Sequence, residues 1–338
     1  MLIMGQSFSR WLERQWYGHT GWQLILRPFS WLFYILIALR RLAYRLRLFK
    51  SLKLSVPVII VGNINVGGTG KTPFVIWLVQ QLRQNGWYPG IISRGYGGKS
   101  IHTHQVTKDS LPQEVGDEPV LLVQRTGLPL YVGRKRTRAA RHLLRDYPEC
   151  NLIISDDGLQ HYALERDMEI VIIDGERIFG NGQLLPAGPL REPSSRLEDV
   201  DAVVFNGGPP AAGGYLMQLI PEDLRKVSAP QERMALNELI GQHVHAVAGI
   251  GNPQRFFGQL EQLGLVVEAH PFPDHHAYTE DDFEFAKDDI VLMTEKDAVK
   301  CIAFARENWW FMPISAEIDR ALAEKILARL TRLMEKEI

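Results

Sequence analysis

The 338-residue sequence predicts an α/β protein built around a mostly parallel sheet. Apolar, β-branched runs at 56–61, 151–155 and 168–174 have the length of buried strands, and stretches with helical spacing lie between them. A composition that is 46% hydrophobic and 23% charged excludes a disordered chain, and two cysteines exclude a disulfide scaffold. The length alone predicts about two domains.

The first 55 residues differ in charge from the rest of the chain. They contain nine basic residues and one acidic residue, a net charge of +8, whereas residues 56–338 contain 29 basic and 38 acidic residues, a net charge of −9. The charge-free run at 28–39, PFSWLFYILIAL, is followed at once by the basic stretch RRLAYRLRLFK. Basic and apolar residues mixed in this way predict a helix that lies in the headgroup region of an anionic membrane.

Three other interpretations of this segment are weaker. A run of 12 is shorter than the roughly 20 apolar residues of a membrane-spanning helix. Nucleic acid is not expected as a partner, because the segment contains more apolar residues than phosphate binding requires. A helix packed on the body of the protein, with its arginine side chains merely solvated, is the third alternative.

A glycine-rich loop, GNINVGGTGKT at 62–72, separates the first predicted strand from a helical stretch. This context is typical of a phosphate-binding loop, in which backbone N–H groups surround phosphate oxygens, and it predicts a P-loop NTPase-like core. A dinucleotide-binding loop is excluded, because its third glycine would fall at Pro73. The predicted nucleotide-binding residues are Asn65, Gly67, Gly68, Thr69, Gly70, Lys71 and Thr72.

Two residues of this loop carry specific chemistry. Lys71 is expected to reach the β- and γ-phosphates, and the hydroxyl of Thr72 is expected to bind Mg²⁺. Asn65 occupies the position where the general motif has its first glycine, but asparagine tolerates left-handed backbone better than most residues. ATP and Mg²⁺ are therefore the predicted cofactors.

Acidic residues and a histidine follow further along the chain. Asp156 and Asp157 end a predicted strand, an arrangement that holds Mg²⁺ or its water in phosphate-loop proteins. Asp117 begins a helical stretch, and on residue type alone an N-cap is as good an explanation for it as a role in catalysis. In the segment 186–193, PAGPLREP, Arg191 is suited to contact a phosphate and Glu192 is suited to contact a metal. The alternative for this segment is a surface linker. Residues 274–276, Asp-His-His, suit an acid–base pair better than a metal site.

Seven segments of the sequence occur in one order. They are VGNINVGGTGKTP, SRGYGG, VGDEP, SDDGLQH, LLPAGPLREP, FPDHHAY and MTEKDAVK. Together they resemble the tetraacyldisaccharide 4'-kinase family of Gram-negative bacteria, over about residues 10–325. The resemblance implies an enzyme that transfers the γ-phosphoryl group of ATP to the 4'-hydroxyl of a tetraacylated glucosamine disaccharide 1-phosphate in lipid A biosynthesis. We also expect a monomer on the cytoplasmic face of the inner membrane.

The resemblance also implies a role for individual residues. Asp117 becomes the candidate base for the sugar hydroxyl, and His275 pairs with that base and orients it, although the neighbouring His276 leaves the choice of ring open. Lys71 and Arg191 serve the phosphates. The implied metal and phosphate region holds Thr72, Asp156, Asp157 and Glu192, and the loop that faces the lipid substrate holds Arg94 and Tyr96.

We predict three parts: a basic, aromatic helical segment at 1–55, the phosphate-loop core at 56–218, and a smaller α/β lobe at 219–338. The glycine-rich segment 206–214 marks the boundary, and a strand–helix–strand pattern follows residue 241. Because Asp117 and His275 fall in different lobes, we expect closure on substrate to assemble their pair. Two rival functions are a membrane-recruited P-loop ATPase that acts as a regulatory switch and a lipid-binding adaptor without catalysis.

Overall fold

The structure, a computed structural model, describes residues 15–18, 21–100 and 102–335. Within these residues the chain forms two sheets, one of nine strands and one of six. The strands are β1 (Val58–Gly62), β2 (Pro89–Ser93), β3 (His104–Val106), β4 (Leu130–Val132), β5 (Leu152–Asp156), β6 (Met168–Asp174), β7 (Ala202–Asn206), β8 (Tyr215–Pro221), β9 (Leu224–Lys226), β10 (Arg233–Met234), β11 (His243–Ala248), β12 (Val266–Pro271), β13 (Val291–Thr294), β14 (Trp309–Met312) and β15 (Ile314–Ile318). The helices are α1 (Trp22–Arg45), α2 (Lys71–Gln84), α3 (Pro112–Val115), α4 (Asp117–Thr126), α5 (Arg136–Asp146), α6 (Pro253–Gln262), α7 (Glu295–Cys301) and α8 (Arg320–Glu335).

The larger sheet has the strand order β15-β8-β7-β6-β1-β5-β2-β4-β3. Its neighbours are parallel except at the two ends, where β15 and β3 run antiparallel to their partners. Strands β1, β5 and β6 are buried along their whole length, because helices cover both faces of a parallel sheet. One face packs against α2, α4 and α8, and the other packs against α5. The predicted α/β core with a mostly parallel sheet is confirmed.

The smaller sheet has the order β10-β9-β14-β13-β11-β12. Strands β11 and β12 are parallel neighbours joined by α6, which is the strand–helix–strand unit predicted after residue 241. Phe256, Phe257 and Leu260 bury one face of α6 against this sheet. We call the larger sheet with its helices the first lobe, and the smaller sheet with α6 and α7 the second lobe.

The end of the chain differs from the prediction that residues 219–338 belong to the second lobe. Strand β15 pairs with β8 of the larger sheet, and α8 buries Leu322, Ile326 and Leu330 in the core of the first lobe. The apolar spacing of α8 predicts an amphipathic helix but does not say which sheet it covers. The residues after β14 therefore return to the first lobe.

Helix α1 stands largely uncovered by the rest of the described chain. It is long and apolar enough to cross a membrane by length and composition, and 6% of its most apolar window is buried. Its contacts with the first lobe include the hydrogen bond from Ser30 Oγ to the carbonyl of Leu184 at 2.8 Å, the ion pair of Arg41 with Asp199 at 2.8 Å, and the packing of Arg40 and Tyr44 against the ring of Tyr162. The alternative of a helix packed on the body is not supported over most of its length. Arg10, Trp11 and Arg14 of the predicted basic segment lie outside the described residues.

We expect Ile326→Ala to destabilise the first lobe, because Ile326 on α8 is 1% exposed in its core. Removing this much buried aliphatic volume costs about 2–5 kcal/mol of unfolding free energy. Met334→Ala on the same helix, at a side chain 48% exposed, is the matched control and should cost less than about 0.5 kcal/mol. Urea unfolding of the two variants measures both values. Equal stabilities would contradict the packing of α8 against the larger sheet.

Candidate functional site

The candidate site is a cavity of about 750 Å³ between the two lobes. It lies beyond the carboxyl ends of the parallel strands, where open α/β sheets bind their ligands. The phosphate loop, including Lys71 and Thr72, lines it from the first lobe, and Asn252, Arg255 and Lys296 line it from the second. The loop and the strand–loop–helix context predicted for it are both present.

The backbone of the phosphate loop requires its glycines at two points. Gly67 has φ of 109° and Gly70 has φ of 89°, conformations that other residues rarely adopt. A Cβ on Gly70 would also lie 2.5 Å from the side-chain nitrogen of Asn206. That nitrogen donates to the carbonyl of Thr69 at 3.1 Å, so the end of β7 supports the loop.

The PAGPLREP segment runs beside the start of this loop. The N–H of Val66 donates to the carbonyl of Pro189 at 2.9 Å, and the N–H of Arg191 donates to the carbonyl of Ile64 at 2.6 Å. The side chain of Asn65 is buried and donates to the carbonyl of Ile178. Asn65 thus anchors the loop, and PAGPLREP is a structural neighbour of the loop rather than a surface linker.

Three of the predicted charged residues meet at the loop. Asp157 Oδ1 lies 3.4 Å from Lys71 Nζ and 3.5 Å from Arg191 Nη1. Burial raises the pKa of Asp157, but Lys71, Arg191 and Arg136 outweigh that effect and lower it to about 2. The carboxylate is therefore ionised at neutral pH.

Asp156 is more deeply buried, with 1% of its surface exposed. Its Oδ2 accepts a hydrogen bond from Ser93 Oγ at 3.1 Å, whereas its Oδ1 has no hydrogen-bond partner. Burial, together with the charge of Glu118, raises the pKa of Asp156. A nearby cation would stabilise the ionised carboxylate and so oppose this rise in the pKa of Asp156.

These residues fit Mg²⁺, which prefers oxygen ligands. Asp156 Oδ1 and Thr69 Oγ1 are buried oxygens without a hydrogen-bond partner, Asp157 Oδ1 faces the cations Lys71 and Arg191, and Thr72 lines the same cavity. Buried polar atoms left unpaired are costly, so a hard cation and its water would satisfy atoms that the protein itself does not.

The surroundings of Glu192 do not support the prediction that it binds the metal. Its carboxylate is 1% exposed and accepts hydrogen bonds from Gln160 Nε2 at 2.9 Å and Tyr162 Oη at 2.7 Å. Arg196 Nε lies 3.3 Å from the same group. Because both oxygens are already used by protein donors, Glu192 is not available as a metal ligand in this arrangement. We leave it out of the Mg²⁺ site.

Asp117 and His275 form the second part of the site. Asp117 begins α4, and its two oxygens lie 3.0 and 2.9 Å from His275 Nδ1. Asp117 Oδ1 also accepts from the N–H of Glu118 at 2.8 Å, but Gly116 holds the N-cap position and no side chain caps the helix, so the N-cap alternative for Asp117 is wrong. The pair spans the two lobes in this structure, and the expectation that closure on substrate assembles it stays a prediction.

The structure also decides between the two adjacent histidines. His276 Nε2 lies 3.1 Å from Asp282 within the second lobe, whereas His275 alone faces Asp117. His275 has φ of 59°, a left-handed backbone that turns the two neighbouring side chains in different directions. Tyr96 packs its ring 5.1 Å from the His275 ring while remaining 61% exposed, and Arg94 beside it is also exposed.

Two lysines of α7 complete this cluster, and sequence reasoning gave Lys300 no role. Lys296 Nζ lies 3.1 Å from Glu118, 3.0 Å from Asp274 and 4.0 Å from Asp117. Lys300 Nζ lies 3.9 Å from Asp117.

These charges set the protonation of the pair. Burial raises the pKa of Asp117, but the His275 hydrogen bond and both lysines outweigh it, and the pKa falls to about 2. Burial alone would lower the pKa of Lys296, yet Glu118 and the aspartates raise it. At neutral pH Asp117 is therefore a carboxylate held among cations.

Arg136 is a further residue that sequence reasoning missed. It is 3% exposed at the start of α5, and its Nη2 donates to the carbonyl of Asp157 at 3.1 Å. Burial lowers its pKa to about 10, and Asp157 and Asp156 oppose that effect. The only sequence signal was an arginine in the first turn of a helix, where a cation is unfavourable and needs a carboxylate or carbonyl partner.

Comparisons with known proteins identify the family of the chain. The family model described as Tetraacyldisaccharide-1-P 4'-kinase matches residues 22–331. A tetraacyldisaccharide 4'-kinase of Nitrosococcus oceani is 48% identical over 333 residues, 98% of each chain, and one from Azoarcus sp. is 51% identical over 313 residues, 91% of this chain and 92% of its own. The crystal structure of "apo" form LpxK from Aquifex aeolicus in complex with ATP has a TM-score of 0.77 at 30% identity, covering 91% of this chain and 99% of that one. The chain therefore belongs to the tetraacyldisaccharide-1-P 4'-kinase family.

Proposed function

We propose that this protein transfers the γ-phosphoryl group of ATP to the 4'-hydroxyl of a tetraacylated glucosamine disaccharide 1-phosphate. The observation that carries the proposal is the Asp117–His275 pair, which lies 2.9 Å apart beside the cavity that Lys71 and the phosphate loop line. Relatives at 48% and 51% identity carry the name of this kinase. Neither a partner-switching ATPase nor a lipid-binding adaptor would explain why Asp117 and His275 are paired beside the cavity.

The phosphate loop is the proposed site for the triphosphate of ATP. Its backbone N–H groups and Lys71 neutralise phosphate charge, and Arg191 adds a second cation next to Asp157. Phosphoryl transfer depends on positioning and on charge neutralisation more than on covalent chemistry, so these groups carry much of the rate.

Mg²⁺ would be held by Thr72, Asp156 and Asp157, whose oxygens border the loop. When bound, it supplies positive charge to the phosphate oxygens. Lys71 and Arg191 keep Asp157 ionised and oriented, which preserves it as an oxygen ligand.

Asp117 is the proposed acceptor of the hydroxyl proton, and His275 holds it in position. A carboxylate with a pKa of about 2 is a weak base toward a free hydroxyl. In a loose transition state the attacking oxygen becomes acidic only as its bond to phosphorus forms, so the proton moves late and a weak base suffices. Lys296 and Lys300 then stabilise the negative charges near the acceptor.

The lipid acceptor is proposed to reach the site from the cytoplasmic leaflet of the inner membrane. Tyr96 is exposed beside His275, Arg94 is exposed two positions before Tyr96, and both are the proposed contacts to the acceptor. Helix α1 exposes large apolar side chains, including Trp31 at 73% and Leu24 at 63%, and basic residues follow at its end. An exposed apolar face joined to basic residues suits an anionic membrane surface.

We expect Lys71→Met to weaken ATP binding about 10–100-fold, because it removes a charged contact to the phosphates. Phosphoryl transfer should fall further, by about 10²–10³-fold. Lys287→Met, an exposed lysine of the second lobe, is the control and should leave both values unchanged. Radiolabelled ATP and purified disaccharide 1-phosphate measure the transfer. ATP hydrolysis without any product phosphorylated at the 4' position would favour the regulatory ATPase instead.

We expect Asp117→Asn and His275→Ala to lower kcat about 10²–10⁴-fold while ATP binding is retained, because proton acceptance is lost but the phosphate loop is intact. The chain offers a matched control in the neighbouring pair, Asp282→Asn and His276→Ala, which has a similar 3.1 Å contact within the second lobe. The control variants should keep kcat within about twofold of the original protein. Normal turnover in Asp117→Asn would refute its role as the proton acceptor.

We expect replacement of Arg45 and Lys50, exposed basic residues at the end of α1, by glutamine to weaken binding to anionic vesicles. Each charge contributes about 1 kcal/mol near an anionic surface, so the double variant should bind about 20–30-fold more weakly. Arg320→Gln, an exposed cation on α8, is the control and should bind as before. Sedimentation with anionic and zwitterionic vesicles gives the affinities. Unchanged binding in the double variant would contradict this membrane contact.

A further inference from the structure

The second lobe carries a cluster of three histidines and a glutamate outside the kinase site. His243 and His245 alternate along β11, and Glu268 and His270 alternate along β12. The parallel register places His245 directly opposite Glu268. Because side chains two apart lie on the same face of a strand, all four share one face of the sheet.

The distances between their polar atoms are short and similar. His245 Nδ1 lies 3.0 Å from His270 Nε2 and 3.6 Å from Glu268 Oε2. Glu268 Oε1 lies 3.5 Å from His270 Nε2, and Glu268 Oε2 lies 3.6 Å from His243 Nε2. Four ligands on a tetrahedral Zn²⁺, at bonds of about 2.0–2.1 Å, lie about 3.3–3.4 Å from one another. His243, His245 and Glu268 offer ligand atoms that all lie within 4.8 Å of one another.

Neighbouring groups hold two of these rings in place. His270 stacks on Phe285 with ring centroids 3.6 Å apart and planes 8° apart. The side chain of His245 is 6% exposed, and its other nitrogen, Nε2, lies 3.5 Å from a carboxylate oxygen of Asp289. Metal-bound histidines typically direct their second nitrogen to a carboxylate, which fixes the ring and raises its basicity.

We propose that His243, His245 and Glu268 form a binding site for a divalent transition metal of the Zn²⁺ type, with His270 as the ring that packs beside His245. Imidazole nitrogens favour zinc and similar metals, whereas the Mg²⁺ proposed for the phosphate loop prefers oxygen. None of the four residues lines the cavity that holds the phosphate loop. The site is therefore chemically and spatially separate from the kinase chemistry.

The metal would join β11 to β12, which is the edge strand of the smaller sheet. Strand β12 ends at Pro271, and the chain reaches His275 four residues later. A cross-link at this point stabilises the strand from which the His275 segment extends. We assign the metal a bracing role in the second lobe, with no part in the phosphoryl transfer itself.

The test is a titration of the full-length, metal-stripped protein with Zn²⁺ alone, in competition with a chromogenic chelator. We expect one Zn²⁺ per chain, and binding at least about 10–100-fold weaker in Glu268→Gln and His243→Ala. These two side chains are 50% and 53% exposed, so their replacement leaves folding intact, which circular dichroism checks. The matched control is the double variant His102→Ala, His104→Ala, two exposed histidines at and beside β3, which should bind Zn²⁺ like the original protein.

Co²⁺ gives a second readout that depends on geometry. We expect visible absorption bands typical of tetrahedral Co²⁺ in the original protein and their loss in Glu268→Gln. The proposal is overturned if the original protein binds no stoichiometric Zn²⁺, or if Glu268→Gln and His243→Ala bind it as tightly as the control.

Discussion

The buried carboxylate of Asp117 is the group on which the arrangement of the two lobes depends. It belongs to α4 of the first lobe, is 3% exposed, and finds its partners His275, Lys296 and Lys300 in the second lobe. A buried charge without such partners is strongly destabilising, so the two lobes must stay close at this point. The cavity between them is the space that remains beside this contact.

A second ion-pair cluster fixes α4 at its other end. Arg125 donates to both oxygens of Glu295 at 3.0 Å and to Glu222 at 2.7 Å. Helix α4 is therefore held against α7 near both of its ends, which orients Asp117 toward the second lobe. On the opposite side of the cavity, Lys71 and Arg191 surround Asp157. The cavity thus has cations beside the phosphate loop and a buried carboxylate beside His275, a division of charge that suits the proposed phosphoryl transfer.

The overall charge of −1 conceals two regions of opposite charge. The described basic residues of the first 55 positions lie on α1 or follow its end, and large apolar side chains of α1 are exposed. The contacts that join α1 to the first lobe include those of Ser30 and Arg41. This composition suits the proposed contact of α1 with a lipid surface, whereas the acidic remainder contains the carboxylates beside the cavity between the lobes.

The sequence by itself determined the α/β core, the phosphate loop and the strand–helix–strand unit of the second lobe. These features depend on local patterns: apolar runs of strand length, a glycine-rich turn and a lysine at fixed spacing. Only the tertiary structure decided that α8 covers the larger sheet, that Glu192 is satisfied by Gln160 and Tyr162, and that His275 rather than His276 faces Asp117. Such outcomes depend on which side chains distant in sequence come into contact. Asp117 and His275 are 158 positions apart in sequence, and no local pattern encodes their contact.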